Sequence, residues 1–71
     1  HRQGIGTLLV RSCIAFANKF AISNIVLNSQ MSAVKFYETF GFTSVGDTFI
    51  EADIEHVRMI LVCNKTTSKI S

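Results

Sequence analysis

Between Ile5 and Cys63 the apolar residues change period three times, and that succession confines the chain to an α/β arrangement. Ile5, Leu8, Leu9, Cys13, Phe16 and Phe20 recur at helical spacing and predict one amphipathic helix over about residues 5–21. "SNIVLNS", Ser23 to Ser29, is short, β-branched and bounded by turn-formers, which predicts a strand. The helical period returns from Gln30 to Phe40, with Ala33, Phe36, Tyr37 and Phe40 on one face, and Gly41 offers a left-handed stop. "FTSVGDTFIEADI" and "EHVRMILVC" read as two strands, Met59 and Leu61 alternating with Arg58 and Ile60, with Ile60 and Val62 making the polar face imperfect. Their connection around Ala52 to Glu55 lacks the Asn-Gly signature of a two-residue hairpin, so their register stays open. The tail "NKTTSKIS" has no periodicity and is expected to fray.

The right-handed crossover rule asks for another strand before the first helix, parallel to the one around Ile25. The expected architecture is therefore α/β, a mixed sheet with two helices, of which three strands alone cover the helices poorly. The chain begins at His1 rather than Met and is 48% hydrophobic. A domain of this size buries only about 60% of its unfolded surface. These features predict a partial domain over residues 1–63, the C-terminal half of something larger.

The formal charge of +2 comes from scattered basic residues, without the stripe that nucleic-acid binding needs. Four of the five acids, Asp47, Glu51, Asp53 and Glu55, cluster; they read either as a solvated edge or as a field suited to a cationic ligand. Cys13 and Cys63 suit neither a disulfide framework nor a zinc site, and Cys13 is expected to be a small core residue. No run reaches the roughly 18 apolar residues of a membrane helix, so a soluble, cytoplasmic protein without metal is expected.

"RQGIGTLL", Arg2 to Leu9, places two glycines at the head of the first helix. A helix N-terminus leaves backbone N–H groups unpaired and carries partial positive charge, and glycine lets a ligand come close. Gly4 and Gly6, with Gln3, Ile5 and Thr7 offering N–H groups and Thr7 a hydroxyl, fit a phosphate site. Gly-x-Gly is also common without function. The stretch lacks the Lys of a Walker loop and has Leu9 where a dinucleotide fingerprint carries its third glycine.

"AVKFYETFGF", Ala33 to Phe42, following that glycine pair in this order, resembles the Gcn5-related N-acetyltransferase family over His1 to about Leu61. There Gln/Arg-x-x-Gly-x-Gly/Ala grips the pyrophosphate of acetyl-CoA, and Asn-x-x-Ala-x-x-x-Tyr-x-x-x-Gly-Phe carries a Tyr that meets the thioester sulfur. Ala33, Tyr37, Gly41 and Phe42 match in spacing, with Gln30 in place of Asn. His1 holds the first place of the glycine motif, with Arg2 one place later. Gln30 together with "FIEADIEHVRM", Phe49 to Met59, looks like the ElaA-type branch, whose pattern is Phe-x-Glu-x-Gly-Ile-x-His-x-x-Met. Asp53 stands at the Gly of that pattern.

The resemblance implies an acetyl-CoA-dependent N-acetyltransferase acting on a primary amine, small molecule or peptide. Arg2, Gln3, Gly4, Ile5, Gly6, Thr7 and Gln30 would bind the cosubstrate. The amine would attack the thioester through a tetrahedral intermediate, polarised by N–H groups of a strand before the glycine loop. Tyr37 would protonate the departing thiolate, a phenol and a thiol lying close in acidity. By periodicity alone Tyr37 is a core tyrosine, and Phe36 keeps a core reading throughout. His56 and Glu51 are candidates to deprotonate the incoming ammonium; a lone His at a strand start also serves structure or sits exposed. This piece alone is expected to bind CoA weakly with little turnover. The alternatives are a catalytically silent CoA-binding module and an interaction domain that buries its open sheet edge in a partner, including a homodimer.

Overall fold

The computed structural model describes residues 2–63, in the order α1 (Arg2–Lys19), β1 (Asn24–Gln30), a 3-10 turn (Met31–Ala33), α2 (Val34–Glu38), β2 (Thr43–Glu51) and β3 (Ile54–Val62). His1 and the tail expected to fray lie outside the described residues. The α/β class read from the sequence holds, with two helices and three strands. The sheet has the order β1-β3-β2, and β2 pairs with β3 antiparallel. The chain divides into two compact units. One holds the residues up to Ile25 with Val62 and Cys63, and the other runs Val26–Leu61.

In the first unit α1 starts earlier than its apolar period indicated, so that Gly4 and Gly6 lie inside the helix. It ends in a Schellman arrangement: Ile22 N–H donates to the Ala17 carbonyl (2.8 Å), and Ala21 takes the left-handed position at φ 57°. No glycine marks that stop, which is why the sequence did not show it.

The inward stripe of α1 is also not the expected one. Thr7, Val10 and Ile14 are half-buried and Ala17 is buried, whereas Leu8, Leu9 and Phe16 stay more than half exposed. Cys13, expected in the core, is exposed. The physical reason is that α1 is apolar on both sides, and a helix of that kind presents two surfaces for burial. Leu9, Cys13, Phe16, Ala17, Ile22 and Ile25 line an open apolar groove within this unit. Cys63 N–H donates to the Ser23 carbonyl at 2.8 Å.

In the second unit the core is Phe42, Val57 and Met59, the last completely buried. β3 is the middle strand, so Val57 and Met59 are covered on both sides while the acids of edge strand β2 and its turn stay exposed. The solvated-edge reading of Asp47, Glu51, Asp53 and Glu55 describes their exposure.

The second helix is shorter than its apolar face implied, a 3-10 turn leading into five α-helical residues. Its stop is where the sequence placed it. Gly41 has φ 101°, and its N–H donates to the Glu38 carbonyl (3.0 Å). A Cβ on Gly41 would lie 3.1 Å from Leu61 Cδ1, so both conformation and space require glycine here.

The hairpin register left open by the sequence is a two-residue turn. Glu51 pairs with Ile54, and Ala52 and Asp53 both have positive φ, 53° and 62°. These are the signs of a type I′ turn, whose right-handed twist matches the strands it joins. Asp53 adopts the left-handed conformation that glycine takes most easily; Asp tolerates it better than most residues. The register shifts between Val45 and Phe49, so that Gly46, Asp47 and Thr48 bulge opposite Val57. Gly46, at φ 80°, was the available signal for that bulge.

Candidate active site

The head of α1, in the first unit, is one candidate segment. Arg2, Gln3 and Gly4 form its opening turn, whose N–H groups have no partner within the helix. Gly6 and Thr7 lie deeper, where helical geometry directs their N–H groups at the carbonyls of Arg2 and Gln3. The donor set therefore sits nearer the chain start than the sequence reading placed it, because the helix engulfs both glycines. Gly4 is exposed, and a Cβ there would meet nothing within 4 Å. The surface above it is open, as close approach of a ligand to backbone requires. Ile5 is 58% exposed, whereas Gly6 and Thr7 are half-buried.

Tyr37 is the fourth residue of α2. Its half-buried ring meets Phe36 and Phe42 edge to face, with centroids 5.1 and 5.7 Å apart. Phe36 in turn meets Phe40 edge to face at 5.2 Å. The backbone continues the same clamp. The Tyr37 carbonyl accepts from the N–H groups of Phe40 (3.0 Å) and Phe42 (3.3 Å), and the Thr39 hydroxyl donates to the Phe36 carbonyl (2.6 Å). The aromatic cluster fixes the ring through its faces and edges, which contribute to packing whether or not the hydroxyl has a chemical task.

Gln30 ends β1 and, extended at φ −61° and ψ 147°, caps the 3-10 turn that leads to α2; it is exposed. Its neighbour Ser29, only 2% exposed, donates its hydroxyl to the Gln30 carbonyl at 2.8 Å. Sequence reading passed over Ser29, since a serine at a strand end has no signature apart from burial.

His56 lies on β3 opposite Phe49 of β2, and the two rings stack, centroids 5.8 Å apart and planes at 20°. His56 is 9% exposed, and its Nδ1 lies 2.7 Å from the Ile54 carbonyl oxygen. A carbonyl only accepts, so Nδ1 carries the proton and in the neutral ring Nε2 keeps the lone pair. Glu51 is exposed and pairs with Ile54, two positions along from His56 on the same sheet face. The strand pleat puts Val57, Met59 and Leu61 on one face and His56, Arg58 and Ile60 on the other. Gly41 at the end of α2 approaches Leu61, hence the face away from His56. Tyr37 and His56 thus have separate sets of partners.

Among the described residues, no cluster of His, Cys, Asp and Glu could hold a metal ion, and no helix is long and apolar enough to cross a membrane.

Comparison with known proteins bears on the same segments. The chain is 34% identical over 59 residues to a UPF0039 protein of Synechocystis sp., an alignment covering 82% of this chain and 38% of that protein. It therefore spans well under half the length of that relative. A family model described as an acetyltransferase (GNAT) domain matches residues 1–63, from the glycine pair through the end of β3. With the glycine-headed helix, the Tyr37 helix and the β2–β3 hairpin all inside that match, the chain belongs to the GNAT acetyltransferase family.

Proposed function

We propose that the protein to which this chain belongs transfers an acetyl group from acetyl-CoA to a primary amine, and that it is of the ElaA type within its family. The observation that supports this most is the pairing, in one matched segment, of an open glycine-bearing helix head with a tyrosine held by its neighbours' rings. Acetyl-CoA would supply the activated acetyl thioester. The N–H groups of Arg2, Gln3 and Gly4 would bind its pyrophosphate, with the partial charge of α1 behind them. Ile5, Gly6 and the Thr7 hydroxyl border that site, and Gln30 would bind the cosubstrate near α2.

Tyr37 would donate the phenolic proton to the departing thiolate. His56 would take a proton from the incoming ammonium through Nε2, directly or through water, with Glu51 as the other candidate. The acids around the β2–β3 turn would favour a cationic acceptor, small molecule or peptide. A cytoplasmic location suits an enzyme using this cosubstrate.

The test is acetyl transfer from acetyl-CoA to a panel of amines by the full-length protein and its Tyr37→Phe variant. The proposal expects kcat to fall about 10²-fold with KM for acetyl-CoA little changed. Unchanged kcat would remove the acid role, and no transfer to any amine would favour a silent CoA-binding module.

A further inference from the structure

We propose that Ser29 is a positioning residue: its hydroxyl fixes the joint from which α2, and Tyr37 with it, leaves the sheet. Ser29 occupies the most buried position of β1, where every other residue is exposed or half-buried. A hydroxyl removed from water is costly unless hydrogen-bonded, and an alanine or valine would fill a strand interior without that cost. The Ser29 hydroxyl is satisfied by the carbonyl of the next residue, at 2.8 Å.

That carbonyl is where the chain changes structure. Gln30 is the extended cap of the 3-10 turn and gives it no side-chain hydrogen bond. The carbonyl of an N-cap residue accepts the first N–H of its helix, here that of Ala33. Two donors therefore converge on one oxygen and hold the Gln30 peptide plane as strand becomes helix. The next bond follows directly, with Val34 N–H donating to the Met31 carbonyl.

α2 has five residues, too few to keep a direction of its own. Its course is set at its two ends, by the Ser29–Gln30 joint and by the Gly41 stop against Leu61, and by the ring packing of Phe36, Tyr37, Phe40 and Phe42 between them. Tyr37 lies between them. That its placement matters for proton donation rests on the acetyltransferase reading; the positioning itself does not.

Amide hydrogen exchange and the near-ultraviolet spectrum test this in the chain as it stands. Tyr37 is the single tyrosine and there is no tryptophan, so the tyrosine absorption reports on this ring alone. In Ser29→Ala, exchange at Ala33 and Val34 should quicken about fivefold, the effect of losing one ordinary hydrogen bond. The Tyr37 absorption should shift, and exchange at Arg58 and Met59 in β3 should stay as in the wild type. Ser29→Thr, which keeps the hydroxyl, should restore both signals. Wild-type exchange at Ala33 and Val34 in the alanine variant would overturn the proposal. So would equal acceleration at Met59, or a threonine variant that behaves like the alanine one. If the full-length protein shows no acetyl transfer, the acetyltransferase reading falls while the exchange result stands.

Discussion

Phe49 and His56 face each other across the β2–β3 ladder, rings stacked 5.8 Å apart, while His56 Nδ1 reaches back to the Ile54 carbonyl. One imidazole thus ties the hairpin together twice, across the strands and along its own. Replacing His56 with Ala should cost about 2 kcal/mol, from a buried hydrogen bond and a ring contact together. In a double-mutant cycle with Phe49→Ala, denaturant unfolding should give a coupling of about 1 kcal/mol. Strict additivity would mean that the stack contributes nothing.

Gly41 is held by two separate constraints, a φ of 101° and a Leu61 methyl 3.1 Å from where a Cβ would sit. Gly41→Ala should therefore destabilise the protein by about 2 kcal/mol. Adding Leu61→Val to that variant relieves the contact and leaves the backbone cost, so thermal unfolding of the pair should not return to the value of Leu61→Val alone. Full recovery would show the steric contact to be the whole effect.

Ala21 and Asp53 carry left-handed conformations that glycine adopts more easily. Ala21→Gly and Asp53→Gly should each raise stability by about 0.5–1 kcal/mol in chemical denaturation, the second by completing a type I′ turn. A loss of stability in either would contradict the turn geometry described for it.

These same positions show how much the sequence disclosed. Gly41 announced its helix stop because a glycine directly after the last apolar turn suits the left-handed conformation, and Met59 lay on an alternation with Arg58 that Ile60 and Val62 leave imperfect. The ends of α1 and of β2 were hidden because Ala21, Ala52 and Asp53 perform work for which the usual residue is glycine or asparagine. The inward stripe of α1 was misread because Leu8, Leu9 and Phe16 outweigh Val10 and Ile14 in hydrophobicity, whereas burial follows what is available to pack against. Of the candidate site, the placing of the two glycines at the head of α1 and of Tyr37 on α2 was legible from motif spacing. The Ser29 hydroxyl and the Phe49–His56 stack were not, since both depend on tertiary placement and strand register.

Gly4 is where the proposed ligand role and a purely structural role of a glycine predict different outcomes. Nothing within 4 Å opposes a Cβ there, and alanine is the better helix former. Gly4→Ala should raise the unfolding temperature slightly while weakening CoA binding about tenfold, because the methyl stands where the pyrophosphate would approach the backbone. Stability and affinity moving in the same direction would count against a ligand at this place.

Amide NMR during a CoA titration tests whether the opening turn of α1 holds the pyrophosphate of the cosubstrate, as proposed. Saturable shifts are expected, concentrated at Arg2, Gln3 and Gly4 and reproduced in part by inorganic pyrophosphate. Shifts confined to other residues, or no shift at millimolar CoA in the full-length protein, would contradict it.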